Sequence, residues 1–393
     1  MKLDFGQINQ LKSYKYQMVE KISSGYKDEI KSKDKLLVDK VKTKSKLKID
    51  EQIRYLNFKG IQFKNIDEKS AQSILSKNTY YYKITSFRKN FEKDSNGKYV
   101  NLDFGHLSDL ATIDMHFRYL VMKLTLDIEH SIKSNLINAI TEGDEDGYSI
   151  IVDYDLYQKN LIKQKIMKDG SKTEDAKKQE CLDLEERYIA VDKKIMDNSN
   201  SKSYYHEDLY QKRGSSPSIW VLIELMTFGQ LAQFLKFYTE EKKHNSKSFK
   251  NTSEFLYFAK NIRDIAAHSR PILFNIVEVN QFHSELKGGQ VYSYNSSKKR
   301  NPKLSLKNYA ISSGVNRQDA ALYLTNFKIH DIISVLYLHH HLIKGSMRTE
   351  RLKEMTSFCN RCKRNAVTYE LHFELKKIFK IYEQVIDYYG KEC

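Results

Sequence analysis

The chain has 393 residues, 40% of them hydrophobic, so it is long enough to bury one large core or two modest ones. Only 3 prolines and 15 glycines interrupt the chain, which favours a mostly helical fold. It has 66 Lys and Arg against 50 Asp and Glu, and the resulting net charge of +16 suits a polyanionic partner. Four cysteines without a signal peptide indicate reduced thiols in the cytoplasm, and no apolar run is long enough to span a bilayer. The usual sequence motifs of nucleotide hydrolysis, ester hydrolysis and zinc proteolysis are missing.

The first basic segment alternates lysine with apolar or small residues. Its lysines are Lys40, Lys42, Lys44, Lys46 and Lys48. A period of two is typical of extended chain, so the pattern predicts an arm with one charged edge that can lie along an RNA backbone. A lysine-rich solvated surface is the alternative. Residues 1–49 are accordingly predicted to form a basic N-terminal arm and helix.

A charged segment from about residue 153 to 214 lacks a sustained apolar face. Two sections, KDGSKTEDAKK and DNSNSKS, are too polar for a buried element. The segment is predicted to form two polar helices separated by loops, inserted between core elements.

A helix is predicted to end near Pro271, since proline disfavours helical geometry at the preceding residue. Apolar residues recur before it at three- and four-residue spacing and predict one buried face. They are Phe255, Phe258, Ala259, Ile262, Ile265 and Ala266.

Arg263 and His268 lie near the end of this helix with four residues between them. On an ideal helix they are about 140° apart, whereas Asp264 and His268 share a face. An imidazole can transfer a proton near neutral pH, an adjacent carboxylate can orient it, and a guanidinium can hold a phosphate. Together they suit transesterification of RNA without a metal. The alternative is structural: Arg263 pairs with a surface carboxylate and His268 caps the helix.

A second basic stretch, from Gly288 to Tyr309, contains Gly-Gly, Asn-Ser-Ser and a single proline. These turn signals predict a short hairpin or loop over about 286–310. Its cations are predicted to contact RNA phosphates. They are Lys298, Lys299, Arg300 and Lys303. Three tyrosines in the stretch, Tyr292, Tyr294 and Tyr309, offer faces on which unpaired bases can stack.

Helical periodicity returns after Asn316. Apolar residues from Leu322 to Leu338 predict a core helix, and a stripe of Leu371, Leu375, Ile378, Tyr382 and Ile386 predicts a C-terminal helix over 346–393. The stripe suits either the core or a partner subunit.

Two apparent metal motifs carry little weight. His339, His340 and His341 are adjacent, so on a helix they point in different directions, and no metal site is predicted there. Cys359 and Cys362 form a single C-x-x-C without a second pair.

Four blocks of the sequence resemble the Abi-like abortive-infection proteins of the AbiD/AbiF type, within the HEPN superfamily. They read QIRYLNFKGIQ (52–62), YYYKITSFRKNF (80–91), FGHLSDLATIDMHFRYLVMKLTLDIEHSIKSNL (104–136) and SPSIWVLIELMTFGQLAQF (216–234). The R-x4-H pair follows the last block at the expected distance. Lys133 replaces an arginine and Thr227 a serine of the family pattern, and Asp264 stands where the family often has asparagine.

The resemblance implies an all-α, HEPN-type helical bundle over residues 50–345, with a site shared between the two subunits of a homodimer. It implies metal-independent RNA cleavage in phage defence or a toxin–antitoxin system, without a cofactor and with an antitoxin of unknown nature. Arg263 would hold the phosphate, His268 would act as acid or base, and Asp264 would orient them. The sequence leaves two other functions open: an RNA-binding protein without catalysis that holds a small regulatory RNA, and a structural dimer that senses a phage component.

Overall fold

In the computed structural model, the described residues are 35–200, 207–242, 246–277 and 299–391. Every regular element within these ranges is a helix, and the only β-type pairings are isolated bridges. The prediction of an all-α protein is therefore confirmed. The chain divides into two compact units, Met1–Ala111 and Thr112–Cys393.

The first unit is built from short helices. They are α1 (35–42), α2 (Ile49–Phe58), α3 (Glu68–Ser73), which continues as a π-helical turn Ile74–Asn78, and α4 (Tyr81–Ser86), followed by a 3₁₀ turn Phe87–Asn90. Each boundary has a local cause. Asp67 caps α3 by accepting a hydrogen bond from the backbone N–H of Ser70 at 2.9 Å. Gly60, at φ 87°, takes up the left-handed turn that follows α2.

The prediction of extended chain from Lys40 to Lys48 is wrong for residues 40–44. Lys40 and Lys42 lie on α1, and Lys44 occupies a left-handed turn at φ 55°. Leu37, one turn before Lys40, is buried at 2% exposure, and its burial stabilises a helical path that the alternation of lysines does not reveal. Within the described residues 35–48, those from 45 to 48 lack helical or turn structure.

The remaining helices begin with α5, which starts before the division between the units and continues into the second. They are α5 (Phe104–Thr141), α6 (Ser149–Met167), α7 (Glu174–Arg187), α8 (Val191–Asn200), α9 (Glu207–Arg213), α10 (Ile219–Leu225), α11 (Phe228–Glu240), α12 (Lys247–Ala267), α13 (Leu304–Ser312), α14 (Arg317–Tyr323), α15 (Phe327–Leu342), α16 (Gly345–Lys363) and α17 (Phe373–Lys391). A 3₁₀ turn, Ala366–Tyr369, lies between the last two.

The core of the second unit is centred on α12, which packs against α15 and α11. The predicted apolar face is largely confirmed, since Phe255, Ala259 and Ile262 are buried to 1% exposure or less. The Phe255 ring meets Tyr337 of α15 edge to face, with 5.0 Å between centroids. This packing fixes the helix that carries Arg263 and His268.

The charged insertion differs from its prediction in two respects. Four helices, α6 to α9, fall within or across it instead of two. Tyr154 of α6 is also buried, with its ring 5.0 Å from Phe234 and 5.1 Å from Phe237 of α11. Tyr154, together with the buried Ile150 and Ile166, anchors α6 in the core.

The C-terminal segment also differs from the single helix expected. It forms α16 and α17, which pack against each other. Leu375, Ile378, Tyr382 and Ile386 are buried within this chain, so the apolar stripe belongs to its own core, while Leu371 lies in the connection and is 72% exposed.

The predicted basic hairpin or loop ends earlier than expected, because α13 already begins at Leu304 and includes Tyr309. Lys298, Tyr292 and Tyr294 lie outside the described residues. Lys299 forms an isolated antiparallel bridge with Asn326.

Candidate functional site

The end of α12 is closed by backbone hydrogen bonds. The N–H of Ser269 donates to the carbonyl of Ala266, and the N–H of Arg270 donates to that of Ile265, both at 3.0 Å. Ser269 adopts φ 53°, so a serine fills the left-handed position usually taken by glycine. These bonds end the helix before Pro271, and they give the segment beside His268 a defined geometry.

His268 occupies the cap position at this end, as the structural alternative expected. The backbone N–H makes the capping contact, donating to the carbonyl of Asp264 at 3.1 Å. The residue is exposed, and its imidazole makes no hydrogen bond or ion pair with any residue the structure describes. Within the described residues, no partner has to be displaced before the imidazole can contact an external group.

Arg263 is held from two sides. Its guanidinium carbon lies 5.3 Å from the ring centroid of Phe228, the first residue of α11. Its Nε is buried, 3.3 Å from Oδ1 of Asp264, without hydrogen-bond geometry. The side chain remains 25% exposed. Contacts with a ring and a carboxylate orient the guanidinium, which is the condition for holding a phosphate in a fixed position.

Asp264 contacts cations rather than the imidazole. Its Oδ2 lies 2.8 Å from Nζ of Lys260, one turn earlier on α12. The structure shows its carboxylate beside Lys260 and Arg263, and no side-chain contact with His268 is seen among the described residues. Asp264 was predicted to orient His268, but its carboxylate contacts Lys260, four residues earlier on the helix, instead of the imidazole.

Lys260 was not among the predicted site residues, although its i, i+4 spacing to Asp264 on a helix predicts an ion pair between them. Its Cε lies 3.6 Å from the position that a Cβ on Gly229 would take, in the first turn of α11. Phe228 and Gly229 belong to the fourth sequence block. That block therefore forms the surface on which the last turns of α12 rest.

The segment after His268 is anchored on a buried ion pair. Oδ1 of Asp114 accepts hydrogen bonds from the backbone N–H groups of Ile272 at 2.6 Å and Leu273 at 2.8 Å. The Nε of Arg118 donates to the other carboxylate oxygen at 2.9 Å. Burial raises the pKa of Asp114, and these hydrogen bonds and the Arg118 charge oppose the rise. Both charged residues come from the third sequence block.

Lys133, in the same block, reaches the last turn of α10. Its Nζ donates to the backbone carbonyl of Glu224 at 2.8 Å and lies 3.6 Å from the Glu129 carboxylate. This contact fixes the last turn of α10, which precedes Phe228 in the chain.

The predicted RNA-binding cations fall into two groups. Lys42, Lys44, Lys46 and Lys48 of the first unit are exposed, whereas Lys40 pairs with Glu51 at 2.5 Å. Lys48 also precedes α2, where its backbone N–H donates to Oε2 of Glu51.

In the second group, Arg300 makes a two-point contact with Asp331, at 3.1 and 2.9 Å, and lies over the Phe258 ring. Lys303 pairs with Glu254 at 2.7 Å. Both side chains therefore have structural partners.

The side chains of the three adjacent histidines contact different partners. His339 is fully buried between Asp127 and Tyr389, and the Nδ1 of His340 lies 3.0 Å from the Tyr309 hydroxyl. His341 contacts the backbone carbonyl of Tyr337. Within the described residues, no group of three or more His, Cys, Asp or Glu side chains is placed to hold a metal ion.

The C-x-x-C pair has its first thiol in a buried environment. Burial raises the pKa of the Cys359 thiol to about 12, so this residue is not a thiolate near neutral pH.

The chain matches a known protein family. The sequence model of the family described as Abi-like protein matches residues 73–275, a range that includes three of the four sequence blocks and the R-x4-H pair. No curated protein and no solved structure matches the chain. Among the described helices, none has the length and apolar character needed to cross a membrane.

Proposed function

Because the chain belongs to the Abi-like protein family, we propose that it acts in abortive-infection defence against phage as a metal-independent endoribonuclease. The family suggests the defence role. The ribonuclease chemistry is our inference from the residues at the end of α12.

The observation that carries this proposal is the contrast between two side chains on one helix end. The His268 imidazole is exposed and unpaired among the described residues, while the Arg263 guanidinium is held by Phe228 and Asp264. A free imidazole supports proton transfer, and an oriented cation supports binding of a phosphate.

In the proposed reaction, the 2′-hydroxyl of a ribose attacks the adjacent phosphorus and the 5′-oxygen of the next nucleotide leaves. One imidazole removes the proton from the 2′-hydroxyl, and a second donates a proton to the departing oxygen. Arg263 stabilises the negative charge that gathers on the phosphate oxygens. The bond from phosphorus to the 2′-oxygen forms as the bond to the 5′-oxygen breaks, leaving a 2′,3′-cyclic phosphate.

A second copy of the chain would complete the site. Each chain contributes one Arg263 and one His268, so the acid and the base must come from two copies that face each other across a two-fold axis. We therefore propose a homodimer, with RNA as the substrate. Control by an antitoxin belongs to the same hypothesis.

A cleavage assay on end-labelled RNA in EDTA tests the proposal. We expect the unmodified protein to cleave, His268→Ala to lose about 100-fold or more in rate, and Arg263→Ala to fall similarly. Two exposed residues on other helices provide matched controls, His116→Ala on α5 and Arg317→Ala on α14. Equal activity in His268→Ala and His116→Ala would refute the catalytic role. RNA binding without cleavage by the unmodified protein would favour the non-catalytic alternative.

A further inference from the structure

Tyr257, Asp264 and His268 lie on one face of α12, which we call its outer face. Tyr257 and His268 are eleven positions apart in the sequence, so on a helix their side chains point within about 20° of each other and are separated by about 16 Å along the axis. Asp264 lies one turn before His268. The outer face therefore extends about three helical turns from the proposed catalytic imidazole.

Tyr257 presents its ring to solvent, and the residue is 58% exposed. Nζ of Lys260 lies 5.9 Å from the ring centroid. Apart from that cation, no side chain in the described part of the chain makes a hydrogen bond, ion pair or aromatic contact with Tyr257. The ring is therefore accessible to a planar group, and an unpaired nucleic-acid base can stack on such a ring.

The charges between Tyr257 and His268 are compatible with a polyanion. Oδ2 of Asp264 lies 2.8 Å from Nζ of Lys260, and Oδ1 lies 3.3 Å from Nε of Arg263. Two cations thus share one carboxylate, and this group of three side chains carries one positive charge in excess. The acidic residue of the outer face is therefore neutralised where a phosphate backbone would pass it.

Arg270 adds a cation that follows His268 in the chain. The residue is exposed, and its guanidinium makes no hydrogen bond or ion pair with any residue that the structure describes. Its backbone is fixed on both sides, because its own N–H donates to the carbonyl of Ile265 at 3.0 Å and the N–H of Ile272 donates to the buried Asp114 at 2.6 Å. A guanidinium on a fixed backbone can bind a phosphate at a small cost in ordering.

Structural explanations exist for both side chains. A cation after the last turn stabilises a helix through the helix dipole, and a single exposed tyrosine is common on protein surfaces. A purely structural Arg270 would contribute to the free energy of unfolding and not to RNA binding. A surface tyrosine without a role would contribute to neither, so variants of the two residues distinguish these explanations from ligand contact.

We propose that the outer face of α12 is a subsite for single-stranded RNA, in which an unpaired base stacks on Tyr257 and a backbone phosphate binds Arg270. The strand then passes His268 between these contacts, a few nucleotides from the stacked base. Bases inside a duplex are stacked on one another and present no face to Tyr257, so the subsite selects single strands. This assignment rests on the proposed ribonuclease function, because that function makes RNA the ligand.

RNA binding to the full-length His268→Ala protein tests the subsite while the ligand stays intact. Fluorescence anisotropy is measured with a short fluorescein-labelled oligoadenylate and with the same strand annealed to oligouridylate. In that background, Tyr257→Ala should weaken binding of the single strand by about fivefold or more and leave duplex binding unchanged, whereas Tyr257→Phe keeps the ring and should bind normally. Arg270→Gln should lower the log–log salt slope for the single strand by about 0.7, the contribution of one phosphate.

Each variant has a matched control on another helix. Tyr119→Ala on α5 removes a residue that is 57% exposed, against 58% for Tyr257, and Arg317→Gln on α14 removes another exposed arginine. Both controls should bind either form of RNA like the His268→Ala protein. Each variant should also unfold at the same urea concentration as its control. A change in binding without a change in stability separates ligand contact from loss of fold.

Several outcomes would refute the subsite. They are the absence of saturable binding of the single strand, binding by Tyr257→Ala as tight as that by Tyr119→Ala, and equal weakening of single strand and duplex by Tyr257→Ala. An Arg270→Gln protein that keeps the salt slope of Arg317→Gln would also refute it, and a lower unfolding midpoint in that protein would assign Arg270 to stabilising the helix end.

Failure of the subsite and failure of the ribonuclease are distinguishable, because these binding measurements do not depend on cleavage. If the unmodified protein cleaves no RNA but the variants change binding as expected, the ribonuclease is refuted and the subsite stands. If it cleaves RNA and the variants bind like their controls, the subsite is refuted and the ribonuclease stands.

Discussion

The carboxylate of Asp114 accepts a hydrogen bond from the backbone N–H of Ile272 at 2.6 Å, across 158 residues of sequence. Asp114 is completely buried and paired with Arg118, so this bond fixes the chain that leaves the R-x4-H helix. The position of His268 therefore depends on a residue far from it in the sequence.

Replacing Asp114 tests this dependence. Asp114→Ala leaves Arg118 buried without its partner and frees two backbone N–H groups, so we expect a loss of about 3–5 kcal/mol in the free energy of unfolding. Urea denaturation measures the loss. Asp175→Ala, at a side chain 99% exposed on α7, is the matched control and should change stability by less than about 0.5 kcal/mol. An Asp114→Ala protein as stable as the control would contradict the anchoring role.

Asp264 provides a second prediction, because its carboxylate contacts Lys260 and Arg263 rather than His268. Asp264→Asn should therefore reduce RNA cleavage by less than about tenfold, whereas loss of a general acid or base costs about 100-fold or more. Single-turnover rates for Asp264→Asn and His268→Ala, measured side by side, make the comparison. Equal losses would show that Asp264 acts together with the imidazole after all.

The end of α12 shows what local sequence can and cannot predict. Its buried face followed from the spacing of Phe255, Ala259 and Ile262, because helical periodicity is a local property. The left-handed Ser269 gave no signal, since serine rarely takes that conformation. The contact of Asp114 with Ile272 could not be predicted either, because residue spacing within one helix carries no information on which distant segments contact each other.

The prediction of extended chain from Lys40 to Lys48 was wrong in its first half for a related reason. The alternation from Lys40 to Lys48 describes only where the charges fall along the chain. The buried Leu37 and the ion pair between Lys40 and Glu51 accompany a helix and a turn in the same segment. Charge patterns are weak predictors when a buried residue lies within one turn.

A third prediction concerns pH and the buried group of His339, Asp127 and Arg351. Burial lowers the pKa of His339 below its ordinary 6.5, although Asp127 opposes this. Burial acts to raise the pKa of Asp127, but hydrogen bonds from His339 and Arg351 outweigh it and hold the value below 3.8. Both groups thus bind protons more weakly in the folded chain than in the unfolded chain.

Stability should therefore be complete above pH 6.5 and fall as the pH drops, first through the titration of His339 and then through that of Asp127. Urea unfolding between neutral pH and about pH 5 measures the first part. His339→Gln should flatten the slope in that range, and the exposed His116→Gln should not. An unchanged slope in His339→Gln would assign the acid sensitivity to other groups.

A fourth prediction separates the two groups of basic residues. Replacing the exposed Lys42, Lys44, Lys46 and Lys48 with glutamine should weaken RNA binding. The log–log salt slope should fall by about 0.7 for each phosphate of a single strand that the lysines no longer neutralise. Arg300→Gln should instead destabilise the fold, because Arg300 is held by Asp331. Fluorescence anisotropy over a range of salt concentrations measures the slope. An unaltered slope in the four-lysine variant would assign that charge to solubility.

The ends of the RNA products test the central claim most directly. Mass spectrometry of fragments produced by the unmodified protein in EDTA should find 2′,3′-cyclic phosphate on one side of the cut and 5′-hydroxyl on the other, because the neighbouring 2′-hydroxyl is the attacking group. Fragments that carry 5′-phosphate and disappear with EDTA would identify a metal-bound water as the nucleophile and contradict the roles proposed for Arg263 and His268.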